Sequence, residues 1–226
     1  MKGVLKNFAF LRNLYGRYLE RIPFNFYTKK IYGLNNRVQI DAKIIWRSSI
    51  SINGSNNMVT IANAKLITKL KIKIIGNENN VYIGNDVQIK EGVIWIEGDS
   101  NECSIGNKTT IEASDFYLTE EYTKIEIGID CMMADSIVFR TGDSHSILEM
   151  QTNRLLNRAG TIVIGDHVWI GQGVTMLKNS FVGAGSVIGT RSIVNKSFDD
   201  ENIILAGVPA KKIRSGVRWV RERLTK

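Results

Sequence analysis

The chain has 226 residues, 43% of them hydrophobic, and its 30 Lys and Arg exceed its 22 Asp and Glu for a net charge of +8. This length and apolar content exclude wholesale disorder, and two cysteines and two histidines exclude a disulfide framework and a three-histidine zinc site within one chain. The positive charge lies at the ends, since residues 1–32 and residues 207–226 each hold seven Lys or Arg against one Glu. The ends are therefore expected to meet an anionic partner.

The first predicted element is an amphipathic basic helix within residues 1–32. Apolar residues between positions 4 and 22 recur in steps of three and four, which is one face of a helix. The helix either caps the domain that follows or lies on an anionic membrane surface through residues 1–30. Arginines interrupt the apolar run, so we expect neither a secretory signal nor a membrane span, and we expect a cytoplasmic protein.

Residues 33–205 repeat. Phrases 22 residues apart each contain a glycine, an asparagine three positions later and an isoleucine four positions after that: Gly54, Asn57 and Ile61; Gly76, Asn79 and Ile83; Gly98, Asn101 and Ile105. From Ile164 to Val194 the period shortens to six, with a second series of small or apolar residues four positions after each member. A period of six fits neither an α-helix nor a hairpin and is typical of a parallel β-helix, in which each hexapeptide forms a short strand and a corner.

The longer phrase fits three hexapeptides with extra residues at a Gly/Asn-rich corner, because these residue types tolerate positive φ. The sequence thus predicts an all-β solenoid of about seven coils between residues 33 and 199. Residues 206–226 are predicted to form a C-terminal tail, with a short basic helix over residues 215–226.

The six-residue register breaks once. Three apolar positions step by six to His145, and the pattern resumes fully at Ile164. Residues 146–160 are therefore predicted to leave the solenoid as a loop, and long loops on rigid scaffolds commonly carry function. His145 starts this loop, and Asp143 lies two residues away on the same side of an extended chain.

These features resemble a known family. The hexapeptides, the histidine in TGDSHSI, the phrase IGDHVWIG at residues 164–171 and the ending AGVPAKKIR at residues 206–214 are similar to the hexapeptide-repeat acyltransferases, especially those that O-acetylate bacterial sugars and surface polysaccharides, including sialic-acid capsules. The resemblance implies a left-handed parallel β-helix, acetyl-CoA as acyl donor with no metal, a saccharide or polysaccharide acceptor such as capsule or O-antigen, and a homotrimer with the CoA groove between prisms.

The resemblance also implies roles for residues. His145 would be the general base that takes the proton of a sugar hydroxyl as the oxygen attacks the thioester. Asp143 would hold the tautomer of the imidazole, and the Trp169 indole or backbone N–H groups would donate to the oxyanion. The implied CoA contacts are Gly171, Gln172, Gly189, Thr190, Asn195, Lys196, Lys211 and Arg214, of which the lysines and the arginine would bind phosphates. Thr190 and Asn195 depart from the family's common Ala and Thr.

Other residues have simpler interpretations. His167 is interpreted as an exposed turn residue, and Cys103 and Cys131 as buried thiols, so that direct transfer is favoured over a covalent cysteine route. N-acetylation of a nucleotide-linked amino sugar and a non-catalytic β-helix scaffold stay open as alternatives. Nucleic acid is not expected as a partner, because the basic residues are not interleaved with stacking aromatics on one face.

Overall fold

The computed structural model describes residues 24–224, so the helix predicted over residues 4–22, together with its capping or membrane-binding role, lies outside the described residues. All the regular secondary structure within the described range is β-strand. The strands are β1 (Phe24–Tyr32), β2 (Arg37–Ala42), β3 (Ile44–Asn53), β4 (Met58–Ala64), β5 (Leu66–Thr68), β6 (Leu70–Ile75), β7 (Asn80–Ile83), β8 (Gln88–Glu97), β9 (Glu102–Ile105), β10 (Thr110–Thr119), β11 (Lys124–Ile127), β12 (Met132–Met133), β13 (Ile137–Arg140), β14 (Ile162–Ile164), β15 (Trp169–Ile170), β16 (Thr175–Leu177), β17 (Ser180–Val182), β18 (Val187–Ile188), β19 (Ile193–Val194), β20 (Ile204–Gly207) and β21 (Ala210–Arg214).

Parallel pairing stacks these strands into the three faces of a prism. Face 1 holds β5, β12, β15, β18 and β20 with the first halves of β1, β3, β8 and β10, and face 2 holds β6, β13, β16 and β19 with the second halves of those long strands. Face 3 is the sheet β2-β4-β7-β9-β11-β14-β17. The predicted all-β solenoid is confirmed, and the chain makes about eight turns where about seven were predicted. We call the edges corner 1–2, corner 2–3 and corner 3–1 after the faces that they join.

The interior of the prism is a stack of aliphatic rows. The two predicted six-residue series are buried from Ile164 to Val194, and their members are at most 2% exposed. Further up the prism, Phe116 and Phe139 stack with ring centroids 4.8 Å apart in successive coils. Burial of each such side chain contributes about 1.5–3 kcal/mol, and because each coil buries its row only against its neighbours, the stack is stable as a whole.

An asparagine ladder lines corner 2–3 inside the prism. Asn57, Asn79 and Asn101 are each 1% exposed, and the side-chain oxygen of each accepts from the backbone N–H of the ladder residue in the next coil. The positive φ predicted for this corner is found at the glycines and at the residue before each ladder asparagine, for example 59° at Asn56 and 58° at Glu78. The repeated asparagines are therefore selected for buried hydrogen bonding, which differs from the reason that the sequence suggested.

Both ends of the solenoid differ from the prediction. Residues 24–32 form β1, so the solenoid includes at least the nine residues before the predicted start at residue 33. Residues 215–224 contain no helix, which makes the predicted C-terminal helix wrong for this range. The tail instead forms the antiparallel β20–β21 hairpin, turns at Gly216 with φ of 67° and then lies along the prism, where Trp219 is 6% exposed. Tertiary burial thus outweighs the helical pattern. Within residues 24–224, no helix has the length and apolarity needed to cross a membrane.

Candidate functional site

The predicted loop is present between β13 and β14. Leu148 and Leu155 form an antiparallel bridge, and the N–H of Leu156 donates to the Ile147 carbonyl at 2.8 Å, so the loop folds back on itself as a short irregular hairpin. The N–H of Gly160 donates to the Thr141 carbonyl at 2.8 Å and returns the chain to the prism. The loop is therefore closed at its base, at corner 2–3, where His145 lies.

His145 is exposed at the base of the loop, and its ring has no partner among residues 24–224. Its backbone is held on both sides. The His145 carbonyl accepts from Asn157 Nδ2 at 2.8 Å, and the preceding Ser144 has φ of 65° and accepts from Arg140 Nη2 at 3.3 Å. The imidazole is thus presented to solvent from a fixed backbone, with both ring nitrogens available for substrate.

Asp143 binds two residues that the sequence did not single out. Its carboxylate accepts from Lys178 Nζ and, at 2.9 Å, from Asn157 Nδ2. The hydrogen bond from Lys178 and then the one from Asn157 hold the Asp143 pKa below its usual value, so the carboxylate stays ionised. No hydrogen bond joins it to the His145 ring in the described chain, so a role of Asp143 in holding the tautomer of the imidazole stays a prediction.

Asn157 and Lys178 are the residues that sequence reasoning missed. Besides its bonds to Asp143 and His145, Asn157 accepts two hydrogen bonds. Its side-chain oxygen accepts from the Ile147 N–H at 2.7 Å, and its backbone carbonyl accepts from Lys178 Nζ at 3.0 Å. Lys178 follows β16 at corner 2–3, next to Leu177, which is the register partner of Arg140 in the preceding coil. Asp143 lies past the end of that register and Asn157 lies in the irregular loop, so the six-residue period signals neither contact.

For the acetyl transfer that the resemblance implies, we expect Asn157→Ala to lower kcat about tenfold at nearly constant KM for the acyl donor, because the backbone of His145, the predicted base, loses its clamp. Steady-state kinetics of acetyl transfer measure this split, with the melting temperature as a check on folding. Asn153→Gly, in the same loop at an exposed position with φ of 54°, is the matched control and should retain wild-type kcat. Equal losses in both variants would contradict a specific positioning role for Asn157.

Trp169 lies elsewhere on the prism, at the start of face 1 beside corner 3–1. It is 40% exposed, and its ring centroid is 6.1 Å from that of Trp219 in the tail. Trp219 stacks on His167 with centroids 4.1 Å apart and donates from Nε1 to the His167 carbonyl at 2.8 Å. His167 has the predicted turn conformation, with φ of 53°, but it is not fully exposed, because the Trp219 ring stacks on it and its side chain is 38% exposed.

Arg221 fastens the same tail to the prism. Its guanidinium donates to Asp130 Oδ1 at 3.1 Å, to Thr110 Oγ1 at 2.9 Å and to the carbonyls of Asp130 and Cys131. Although partial burial acts to raise the pKa of Asp130, hydrogen bonds from His167 and Arg221 lower it overall. The tail therefore crosses corner 3–1 and forms one wall beside Trp169.

Four of the implied CoA-binding residues meet at corner 1–2. Gly171 and Gln172 lie in the coil before that of Gly189 and Thr190, with the Gly171 N–H donating to the Ile188 carbonyl at 2.8 Å. A Cβ at Gly171 would come 2.8 Å from the Thr190 nitrogen, so close coil stacking itself demands glycine there. Gln172 Nε2 donates to Asp135 at 3.0 Å, and Thr190 is exposed.

The cations that the resemblance implies as phosphate ligands are exposed, so they can bind an anionic group. Lys196 lies at corner 2–3 with Asn195, and its Nζ is 5.3 Å from the Phe198 ring centroid. Lys211 and Arg214 are on β21, and neither has an acidic partner among the described residues, whereas their neighbour Lys212 pairs with Asp200 at 2.7 Å. Free cations of this kind offer charge-assisted hydrogen bonds to phosphate oxygens.

Both cysteines are buried and their thiols are held protonated. Burial raises the pKa of Cys103 to about 12 and that of Cys131 to about 11. A thiolate nucleophile is therefore disfavoured at either position. No three His, Cys, Asp or Glu side chains of the described range converge as metal ligands would.

Fold and site together define a class of protein, namely a β-helix with one loop-bearing histidine. No protein-family model matches the chain. It is 33% identical over 106 residues to a polysialic acid O-acetyltransferase of Escherichia coli O1:K1 and 32% identical over 102 residues to one of Neisseria meningitidis, matches that cover 47% and 45% of this chain. The chain spans 34% and 47% of the length of these curated relatives.

The crystallographically analysed polysialic acid O-acetyltransferase OatWY matches over nearly its full length. The two chains are 30% identical, with a TM-score of 0.79, over 88% of this chain and 93% of OatWY. The chain belongs to the hexapeptide-repeat acyltransferase family, which confirms the resemblance seen in the sequence, and its solenoid is of the left-handed type.

Proposed function

We propose that the protein transfers an acetyl group from acetyl-CoA to a hydroxyl of a sugar in a bacterial surface polysaccharide, with His145 as general base. The observation that carries this proposal is the exposed imidazole at the one break in the solenoid, with no partner for its ring among the described residues and with its carbonyl bound by Asn157. A general base must be open to the acceptor and held in place, and the exposure of the His145 ring together with the hydrogen bond to its backbone carbonyl supports this role.

The chemistry is a single direct transfer. A neutral His145 ring nitrogen takes the proton of the sugar hydroxyl while that oxygen forms a bond to the thioester carbonyl carbon. The tetrahedral oxyanion accepts hydrogen bonds from backbone N–H groups or the Trp169 indole. The C–S bond then breaks, and the imidazolium returns the proton to the departing sulfur, so that the products are the O-acetyl sugar and CoA. The protonated thiols of Cys103 and Cys131 support this route over an acyl-cysteine intermediate.

Acetyl-CoA fits the cations and the small corner residues. Lys196, Lys211 and Arg214 offer positive charge to the 3′-phosphate and diphosphate, and Gly171 and Gly189 lie at corner 1–2, along which the pantetheine arm would pass. Gln172, Thr190 and Asn195 are further proposed contacts at these corners.

Within one prism, the proposed catalytic and CoA-binding residues lie at different corners. His145 lies at corner 2–3, Trp169 beside corner 3–1, and Gly171 with Gly189 at corner 1–2. A complete site would form where corners of neighbouring prisms meet, which supports a homotrimer. We expect light scattering to give a mass of about 76 kDa, three times the 25.4 kDa chain. A monomer that turns over acetyl-CoA would contradict the trimeric site.

The acceptor is proposed to be a sialylated polysaccharide, because the curated relatives carry the name polysialic acid O-acetyltransferase. The test is thiol release from acetyl-CoA, screened over sialylated, amino-sugar and neutral oligosaccharides. We expect release with the sialylated acceptors. Release with amino sugars alone would instead indicate N-acetylation, and release with no acceptor in the panel would count against this acceptor class.

A further inference from the structure

A column of outward-facing side chains on face 2 leads to the His145 corner. Lys73, Trp95, Tyr117 and Arg140 are register partners in four successive coils. Successive strands are about 4.8 Å apart, so the column extends about 14 Å along the prism. Two coils further from His145 the same register position holds Lys30.

The column consists of cations placed over aromatic rings. Lys73 Nζ is 3.8 Å from the centroid of the Trp95 ring, and the Arg140 guanidinium carbon is 5.2 Å from that of Tyr117. Neither cation has a carboxylate within salt-bridge distance in the described chain. At its lower end, Arg140 donates to Ser144, the residue before His145. The column is therefore continuous with the proposed catalytic corner.

Two lysines elsewhere on the surface are paired with carboxylates instead. Lys69 pairs with Glu91 at 3.1 Å, and Lys124 on face 3 pairs with Glu126 at 2.8 Å. On face 2 the neighbouring carboxylates bind aromatic side chains and not the cations: Glu97 accepts from the Trp95 indole, and Asp115 accepts from the Tyr117 hydroxyl. The cations of the column are thus left to interact with an external anion, while the acids hold the aromatic side chains in place.

We propose that this column, here called the face 2 track, binds a linear glycan with a carboxylate on its sugar residues and leads it to His145. Aromatic faces pack against the C–H side of sugar rings, and lysine and arginine pair with carboxylates through charge-assisted hydrogen bonds. The track presents one side chain in each of four successive coils, and such a repeating surface suits a polymer of sugars better than a single sugar. This inference rests on the proposed acetyl transfer, since it names the binding surface of the acceptor.

The experiment measures binding of polysialic acid to the full chain without acetyl-CoA, by calorimetry at low and at high salt. Lys73→Gln and Tyr117→Ala should each weaken binding about fivefold, the size of one surface ion pair or stacking contact. The matched controls are Lys65→Gln, exposed at corner 3–1, and Tyr82→Ala, 38% exposed on face 3, which should bind as the wild type does. Affinity should fall with salt less steeply in Lys73→Gln, and uncharged dextran should not bind.

The outcomes separate this inference from the proposed function. Binding that depends on the track, combined with failure of acetyl transfer in the wild type, would support the track and overturn the function. Transfer that proceeds while Lys73→Gln and Tyr117→Ala bind as well as their controls would overturn the track alone. A change of molecular mass by light scattering in these two variants would show that face 2 is an interface between copies, which would also overturn it.

Discussion

Replacement of His145 by alanine is expected to lower kcat/KM for acetyl transfer about 10³-fold, because the acceptor hydroxyl loses the base that takes its proton. The ring has no partner in the described chain, so its removal should leave the fold intact. Thiol release with a saturating glycan acceptor measures the loss, and the melting temperature should stay within about 2 °C of the wild type, as for a neutral surface substitution.

Cys131→Ser is the control for this prediction. The thiol is buried beside the Gly165 carbonyl at 3.3 Å, and a serine hydroxyl can donate to the same oxygen. Activity should therefore remain close to that of the wild type. Full activity of His145→Ala, or loss of activity only in Cys131→Ser, would contradict direct transfer with a histidine base.

Asn79→Ala is expected to lower the free energy of unfolding by about 3 kcal/mol, a large effect for one polar residue. The Asn79 amide donates to Asn57 Oδ1 and to the Gly98 carbonyl, both at 3.0 Å, and its oxygen accepts from the N–H and the amide of Asn101 at 2.9 and 3.1 Å. Alanine would leave these groups buried without their partner, and the cost of desolvating them would not be recovered.

Chemical denaturation of Asn79→Ala against Asn77→Ala measures this cost. Asn77 lies at the same corner and also bridges two coils, but it is exposed, so water replaces its hydrogen bonds and the expected loss is below about 1 kcal/mol. Equal destabilisation by the two substitutions would show that burial of the ladder does not set its contribution.

Much of the fold could be predicted because a solenoid repeats its constraints. Each coil must place an aliphatic residue inward at a fixed step, so the series from Ile164 to Val194 specifies strands, corners and stacking at once. The ends could not be predicted in this way. Within residues 24–224, strand β1 pairs with β3 alone, and Trp219 and Arg221 are held by long-range contacts to His167 and Asp130, which no local pattern records.

The candidate site could be predicted in part. The register break located His145 and its loop, because an interruption in a strict period is visible in the sequence. The partners of Asp143 could not be predicted: Lys178 comes from the next coil, and Asn157 reaches back from the far side of the loop. The buried ladder ends at Thr141, which donates to Thr123 Oγ1 at 3.0 Å, so the same corner that the repeat builds also holds the chain leading into His145.

Analysis of the glycan product tests the central claim most directly. Polysialic acid incubated with acetyl-CoA and the wild-type chain is expected to gain ester-linked acetyl groups, detected by mass spectrometry and removed by mild base, while His145→Ala yields unmodified glycan. The account would be contradicted by acetylation that persists in His145→Ala, or by an acetyl group that resists mild base and is therefore linked to nitrogen.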